Sequence, residues 1–173
     1  MDDSANSARD LEESASDLKP DATDLKILGI LQTDASLTNH ALAERVHVSP
    51  ATCLRRVKRL VDAGIVARRV AILSAERLGH GLTAIVEVTL DRQGAEALAA
   101  FELRAVAEES VRQCHRVSPG PDFILTIQLA DMAAYHALVQ RLFTADANVR
   151  NVKSYFSVHR AKFETRIALP GAA

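Results

Sequence analysis

Residues 46–64 read VHVSPATCLRRVKRLVDAG. Ser49 is a good helix N-cap, and Pro50 suits the first helical position because the N–H it lacks would be unpaired there anyway. The stretch predicts a helix from Pro50 that ends at Ala63-Gly64, where Gly64 takes the left-handed conformation after the last turn. Cys53, Leu54, Val57, Leu60 and Val61 fall at helical spacing and are expected to form the buried stripe. Thr52, Arg55, Arg56 and Arg59 recur three to four residues apart and are expected to share the outer face, with Lys58 in the same cationic run. Between residues 46 and 60 there are four cations and no acid. A helix that only packs a core balances its charges, so this one is read as presenting positive charge.

Working outward, Thr23 or Asp24 can cap an earlier helix carrying Leu25, Ile27, Leu28 and Leu31. Thr38 can cap a second, with Leu42 and Val46 inward and Glu44 and Arg45 outward. HVSP (47–50) is the turn between that helix and the cationic one. IVARRVAIL (65–73) reads as a strand, one arm of a wing, and carries Arg68 and Arg69. Two helices across a short turn, the second with polar and cationic groups outward, form a helix-turn-helix. Its second helix enters the DNA major groove, with N-terminal residues at base edges and cations on phosphates. An isolated RRxKR run is usually a solvated face. The Ser-Pro start, the helix pair and the local charge together favour double-stranded DNA as partner, with Ser49, Thr52, Arg55, Arg56, Lys58, Arg59, Arg68 and Arg69 as candidate contacts.

The second half has a different pattern. TAIVEVTLD (83–91) alternates, with Ala84, Val86, Val88 and Leu90 on one face. GAEALAAFELRAVAEE (94–109) has helical spacing at Leu98, Phe101, Leu103 and Val106. VRQCHRVS (111–118) and DFILTIQLA (122–130) flank a tight Pro-Gly-Pro turn. MAAYHALVQRLF (132–143) is helical, and VRNVKSYFSVHR (149–160) is a last strand. Strand-helix-strand-strand-helix-strand is the split βαβ, ferredoxin-like order. The fold class is therefore α+β: an N-terminal winged helix-turn-helix followed by a ferredoxin-like βαββαβ domain. The expected boundaries are an acidic arm at 1–20, the reader at 21–72, a linker at 73–82, the second domain at 83–165 and a tail at 166–173.

The 173-residue chain is 48% apolar but has no Trp, so its cores are built from Leu, Val, Ile and Ala. Its net charge of −1 conceals an asymmetry: residues 1–24 carry −6, residues 25–80 carry +5, and the remainder is neutral. The arm is too poor in large apolar groups to offset its ordering entropy and reads as mobile. Cys53 and Cys114 are far apart with no CxxC, which argues against a disulfide framework or zinc site and for small buried apolar roles. The acidic N-terminus is unlike a signal peptide, and no apolar run approaches a membrane span, so a cytoplasmic location is expected. The six histidines lack metal-ligand spacing. No catalytic motif of the GxSxG, HExxH or phosphate-loop kind is present, so neither an enzyme nor a bound cofactor is expected.

TDLKILGILQTDASLTNHALAERVHVSPATCLRRVKRLVDAGIV (23–66), then AILSAERLG (71–79), resembles the DNA-binding half of the Lrp/AsnC transcription regulators. VRQCHRVSPGPDFILTIQLADMAAY (111–135) resembles the family's C-terminal effector and oligomerisation domain, of the RAM/ACT-like kind. The likeness spans about 21–165. Asp34-Ala35-Ser36 stands where members commonly have Asp-Gly-Arg, Arg68-Arg69 where many have Gly-Tyr, and Pro119 replaces a Gly of the effector loop. The resemblance implies a homodimer, and higher homo-oligomers, that bind promoter DNA and respond to an amino acid held between subunits.

Such a ligand needs an acceptor for its ammonium and donors for its carboxylate. Asp122, after the turn that contains Gly120, can take the ammonium or can bond nearby backbone as a turn acid. The resemblance also maps the effector site onto Met132, Tyr155, Phe156 and Ser157. The rival class is a stand-alone sensing or partner-binding module without DNA binding, against which the intact cationic helix argues.

Overall fold

A computed structural model describes residues 18–170. The expected arm falls almost wholly outside them. The chain divides into two compact units. One ends at Ala71 and takes in the chain again from Phe163; the other is Ile72–Lys162.

The first unit holds three helices: α1 (Ala22–Thr33), α2 (Asn39–Val46) and α3 (Pro50–Asp62). Asp21, rather than Thr23 or Asp24, caps α1: its carboxylate accepts the Thr23 and Asp24 N–H groups. Asp24 completes a capping box by accepting the Asp21 N–H. That arrangement satisfies N–H groups that would otherwise have no intrahelical partner. Thr38 caps α2, Ser49 caps α3 and Pro50 begins it, all as expected. His47 closes α2 in the left-handed region at φ 57°, and its N–H returns to the last turn. This makes the sharp turn into α3. Gly64 follows α3 at φ 70°, where any side chain would be strained.

Ile27, Leu28, Leu42, Ala43, Val46, Cys53, Val57 and Leu60 form the core of this unit. Leu54 and Val61 do not join it; they are 59% and 44% exposed. The buried stripe of α3 is narrower than its apolar spacing suggested, because only two neighbouring helices cover it. Residues 65–73 carry no strand. A strand needs a partner for its N–H and C=O groups, and among the described residues none pairs with this segment. Val70, Ile72 and Leu73 are exposed.

The unit gains a segment that its own sequence does not announce. Gln32 of α1 accepts the Ile167 N–H through Oε1 at 2.7 Å and donates through Nε2 to the Ile167 carbonyl at 3.2 Å. Leu169 packs against the core, with its methyl 3.8 Å from where a Cβ on Gly29 would sit. The expected tail is thus a strap on α1, and its last residues, 171–173, fall outside the described ones.

The second unit contains β1 (Leu82–Leu90), α4 (Ala95–Ala107), β2 (Val111–Arg116), β3 (Phe123–Leu129), α5 (Met132–Leu138), which continues as a π-helical turn through Thr144, and β4 (Val149–Phe156). The antiparallel sheet runs β2-β3-β1-β4, the expected split βαβ arrangement. Ala84, Val86, Val88 and Leu90 face the helices, as their alternation predicts, and pack with Phe101, Ala105, Phe123, Leu125, Ile127, Tyr135 and Leu138. Each large side chain here stabilises the fold by about 1.5–3 kcal/mol through burial. Leu103 and Val106 are exposed instead; Phe101 and Ala105, one turn apart, define the inward face of α4. On the opposite face of the sheet, Ile85 lies beside Tyr155 and Glu87 beside Lys153.

Candidate nucleic-acid interface and effector face

The expected outward row of α3 divides in two. Arg55 and Lys58 are exposed. Arg56 and Arg59 instead turn toward α1. Arg56 Nη1 donates to Asp21 Oδ2 at 2.6 Å and to Asp24 Oδ1 at 2.9 Å, and Arg59 Nη2 donates to Asp24 Oδ2 at 2.5 Å. The Asp24 side chain is completely buried, the Arg56 side chain is 24% exposed and the Arg59 side chain 46%. The cause is angular. At 100° per residue Arg56 lies on the flank beside the buried Cys53–Leu60 stripe, where the first turn of α1 waits with two acids. The Asp24 N–H and then the Arg56 guanidinium hold the Asp21 carboxyl down at about 2, and Asp21 and Asp24 raise Arg56 in return.

At the start of α3 the Ser49 hydroxyl accepts the Thr52 N–H at 3.2 Å and donates to the Thr52 hydroxyl at 2.9 Å. Asn39 Nδ2 donates to the Pro50 carbonyl at 2.8 Å and ties α2 to the same turn. The N-terminal half of α3 therefore holds exposed Ser49 and Arg55 and half-buried Thr52 on a fixed frame, with Lys58 one turn on. Arg68 and Arg69 are exposed beyond the helix. Burial pushes the Cys53 thiol up, as befits a small core residue.

In the second unit the expected effector residues separate into two groups. Asp122 and Gly120 lie at the β1 end marked by Val88, whose neighbour across the ladder is Phe123. The Asp122 N–H donates to the Val88 carbonyl, and its Oδ2 accepts the Leu90 N–H at 2.7 Å and Gln93 Nε2 at 3.3 Å. Asp122 is thus a turn acid that stitches the end of β1 to the loop. Gly120 sits at φ 119°, a conformation open to glycine, after a cis Ser118–Pro119 bond. Tyr155, Phe156 and Ser157 lie at the opposite end. Phe156 pairs with Ala84 across the ladder, and the Ser157 N–H donates to the Thr83 carbonyl at 2.9 Å. Phe156 meets Tyr135 edge-on at 5.0 Å, and the Tyr135 hydroxyl bonds Ser154. Met132 opens α5, just after β3 has ended beside Leu82, and is 42% exposed. The two groups are about 13 Å apart along β1, and Tyr155 and Phe156 lie on β4, across β1 from β3.

What sequence reading missed is the Asp21–Asp24 pair. Its signal was available as an Asp-x-x-Asp just before an apolar run, a capping-box spacing.

Among the described residues no group of His, Cys, Asp or Glu is placed to hold a metal ion, and no helix is long and apolar enough to cross a membrane. A capped helix pair with a cationic second helix is a helix-turn-helix of the DNA-binding kind, joined in one chain to a four-stranded α+β domain. Residues 20–67 match the family described as winged helix-turn-helix DNA-binding, and residues 83–167 match the Lrp/AsnC ligand binding domain. The leucine-responsive regulatory protein of Rhizobium meliloti is 38% identical over 79% of this chain and 88% of its own. The DNA-binding transcriptional activator DecR of Escherichia coli is 32% identical over 83% and 95%. A transcriptional regulator of Neisseria meningitidis, solved as its L-Met complex, superposes with a TM-score of 0.83 at 35% identity, covering 88% of this chain and 98% of that one. The chain belongs to the Lrp/AsnC family of transcription regulators and is not an enzyme.

Proposed function

We propose that the protein is a cytoplasmic, homo-oligomeric regulator that reads a promoter through α3 and answers to an amino acid bound between subunits. The observation that carries the reading is the surface of exposed Ser49, Arg55 and Lys58 with half-buried Thr52, on a helix locked at its start by a cap, a proline and the Asn39 bond. Base edges are read by the first turns of such a helix and phosphates by its cations. Arg68 and Arg69 extend the cationic surface toward flanking phosphates. Assembly is supported by the apolar pair Ile85 and Tyr155 on the uncovered sheet face, 44% and 51% exposed. A dimer sets two reading helices about one helical turn apart, ~34 Å, so the operator is an imperfect palindrome.

An intersubunit effector site is supported by the separation of the two residue groups. One protomer cannot close Asp122 and Gly120 on the same small molecule as Met132, Tyr155, Phe156 and Ser157. A second copy can bring one group against the other. The Neisseria relative, solved with L-Met, makes methionine the first amino acid to try.

The test is a selection of duplexes from a random pool, followed by anisotropy titrations with each of the twenty amino acids and sedimentation of the same samples. The expected result is a palindromic site, dimers or larger species at micromolar concentration, and one amino acid that changes both DNA affinity and assembly. A ligand acts only through its difference in affinity between two states, so DNA must change the ligand's affinity by the same factor. Silence from all twenty removes the amino-acid effector. A failure of the selection to enrich any duplex leaves a sensing module without a DNA target.

A further inference from the structure

The buried acid at the start of α1 has a consequence for DNA recognition. A capping box needs a side chain at its third helical position that reaches back to accept the N-cap N–H, and glutamate or glutamine normally serves. Here Asp24 serves, is completely buried, and accepts from Arg59 and Arg56 as well as from the Asp21 N–H. Asp21 adds a second carboxylate on Arg56. Two of the four cations in the RRxKR run are thus already neutralised, and they belong to the helix that faces DNA.

A guanidinium can leave a carboxylate for a phosphate only if the carboxylate it abandons stays solvated or paired. Asp24 has no exposed surface, so releasing both arginines would strand a buried charge. Arg56, held by two carboxylates, is therefore unavailable to the backbone, and Arg59 offers only the edge that Asp24 does not hold. Phosphate contacts raise affinity for every sequence equally; base contacts raise it for one. Removing two cations from the phosphate count lowers affinity for bulk DNA and for the operator alike, and leaves base contacts a larger share of what remains.

We propose that Asp21 and Asp24 form an internal counter-anion that withholds Arg56 from DNA and restrains Arg59, so that discrimination rests on Ser49, Thr52, Arg55 and Lys58. Asp24 is in this sense a positioning residue that acts through Arg56 and Arg59 and sets how much sequence-independent affinity α3 supplies. The inference rests on the reading of α3 as the DNA-recognition helix.

The experiment measures affinity of the full-length protein for a mixed-sequence duplex over a range of salt, by fluorescence anisotropy. Asp21→Asn/Asp24→Asn should steepen the salt slope by about one to two units, since each new phosphate contact adds about 0.9. Mixed-sequence affinity should rise several-fold at low salt, and affinity for a selected duplex should rise with it by a similar factor. Arg56→Gln alone should leave the slope as in wild type, whereas Arg55→Gln should flatten it by about one. Adding Arg56→Gln to the double variant should remove about one unit of the gain, a coupling that loss of stability alone does not produce. Should the double variant fail to fold by circular dichroism, Asp21→Asn and Arg56→Gln decide, because Asn caps a helix as well as Asp; Asp21→Asn alone should give a smaller gain of the same sign. A folded double variant with the wild-type slope, or an Arg56→Gln slope flattened like that of Arg55→Gln, overturns the proposal. If wild type binds no duplex and Arg55→Gln changes nothing, the DNA reading has failed and takes the counter-anion with it.

Discussion

The two units of this chain are held together by different physics. The core of the second unit is apolar throughout: β1 and β3 supply five valines, leucines and isoleucines and a phenylalanine to the helix-covered face, and Phe101 meets Phe123 at 4.9 Å. The core of the first unit is smaller. It is supplemented by a buried carboxylate with two arginines and by a strap from the far end of the sequence. The lesson is that a small helical reader recruits polar and long-range contacts where a sheet with two helices can rely on apolar burial. It also means that charges on α1 and α3 serve the fold of this unit.

The largest effect is expected in the apolar core. Phe101→Ala should cost roughly 3–5 kcal/mol, because it opens a void against Phe123 that the rigid sheet cannot fill. Urea denaturation followed by far-UV circular dichroism measures this. A loss below ~1 kcal/mol would mean that the second unit is not organised around its aromatic pair.

Asp24→Ala tests the other half of the comparison. Removing one partner of a buried ion pair costs about 3–5 kcal/mol, and the lower end applies here because Arg56 and Arg59 keep some contact with water. A cost near 3 kcal/mol from a residue without apolar surface would show that the reader depends on charge as the second unit depends on aromatic rings. If Asp24→Ala left the urea midpoint unchanged, the reader's small apolar core would be sufficient by itself.

How far all this was legible in the sequence differs between the units for the same reason. In β1 the period is two, and alternation assigns Ala84, Val86, Val88 and Leu90 to one face without ambiguity. On α3 the period is 3.6, and the apolar positions spread over a wide arc. Cys53, Val57 and Leu60 were placed correctly, while Leu54 and Val61 were not, since the width of the stripe depends on how many neighbours cover it. The direction of Arg56 depends on Asp24, thirty-two residues earlier, and no periodicity carries that information. The strand at 65–73 had the right composition and no partner. Asp122 looked equally suited to a ligand or to a turn. Only the β1 register shows that it faces the Leu90 N–H and lies far from Phe156.

A smaller effect is expected from the strap. Gln32→Ala removes two hydrogen bonds to Ile167 at an exposed position. The net loss should be about 1 kcal/mol, in the range of ordinary intramolecular bonds. Leu169→Ala should add to it, since its methyls cover the α1 surface near Gly29. Protection of α1 amides in hydrogen exchange would report the change locally. Wild-type protection in the double variant would show that the strap contributes nothing to the reader.

The smallest effect, and the one that isolates the charge, comes from acid. The Asp21 carboxyl lies at about 2 in the folded protein against an ordinary 3.8, first because the Asp24 N–H donates to it and then because Arg56 does. The folded state therefore holds the carboxylate more favourably than the unfolded chain does. That stability is fully present above the ordinary value of 3.8 and disappears as pH falls through about 2. Over that window the unfolded chain binds more protons than the folded one, so stability must fall with pH. Many carboxylates titrate there, and the wild-type curve alone cannot isolate one of them. Asp21→Asn removes the charge and keeps the cap. The difference in urea midpoint between wild type and Asp21→Asn should be constant above pH ~5 and shrink toward zero near pH 2. The half-exposed side chain keeps the difference small even at neutral pH. A difference as large at pH 2 as at neutral pH would mean that the ionised carboxylate is not what the variant removed, and that the link from Asp21 to Arg56 adds nothing to the cap.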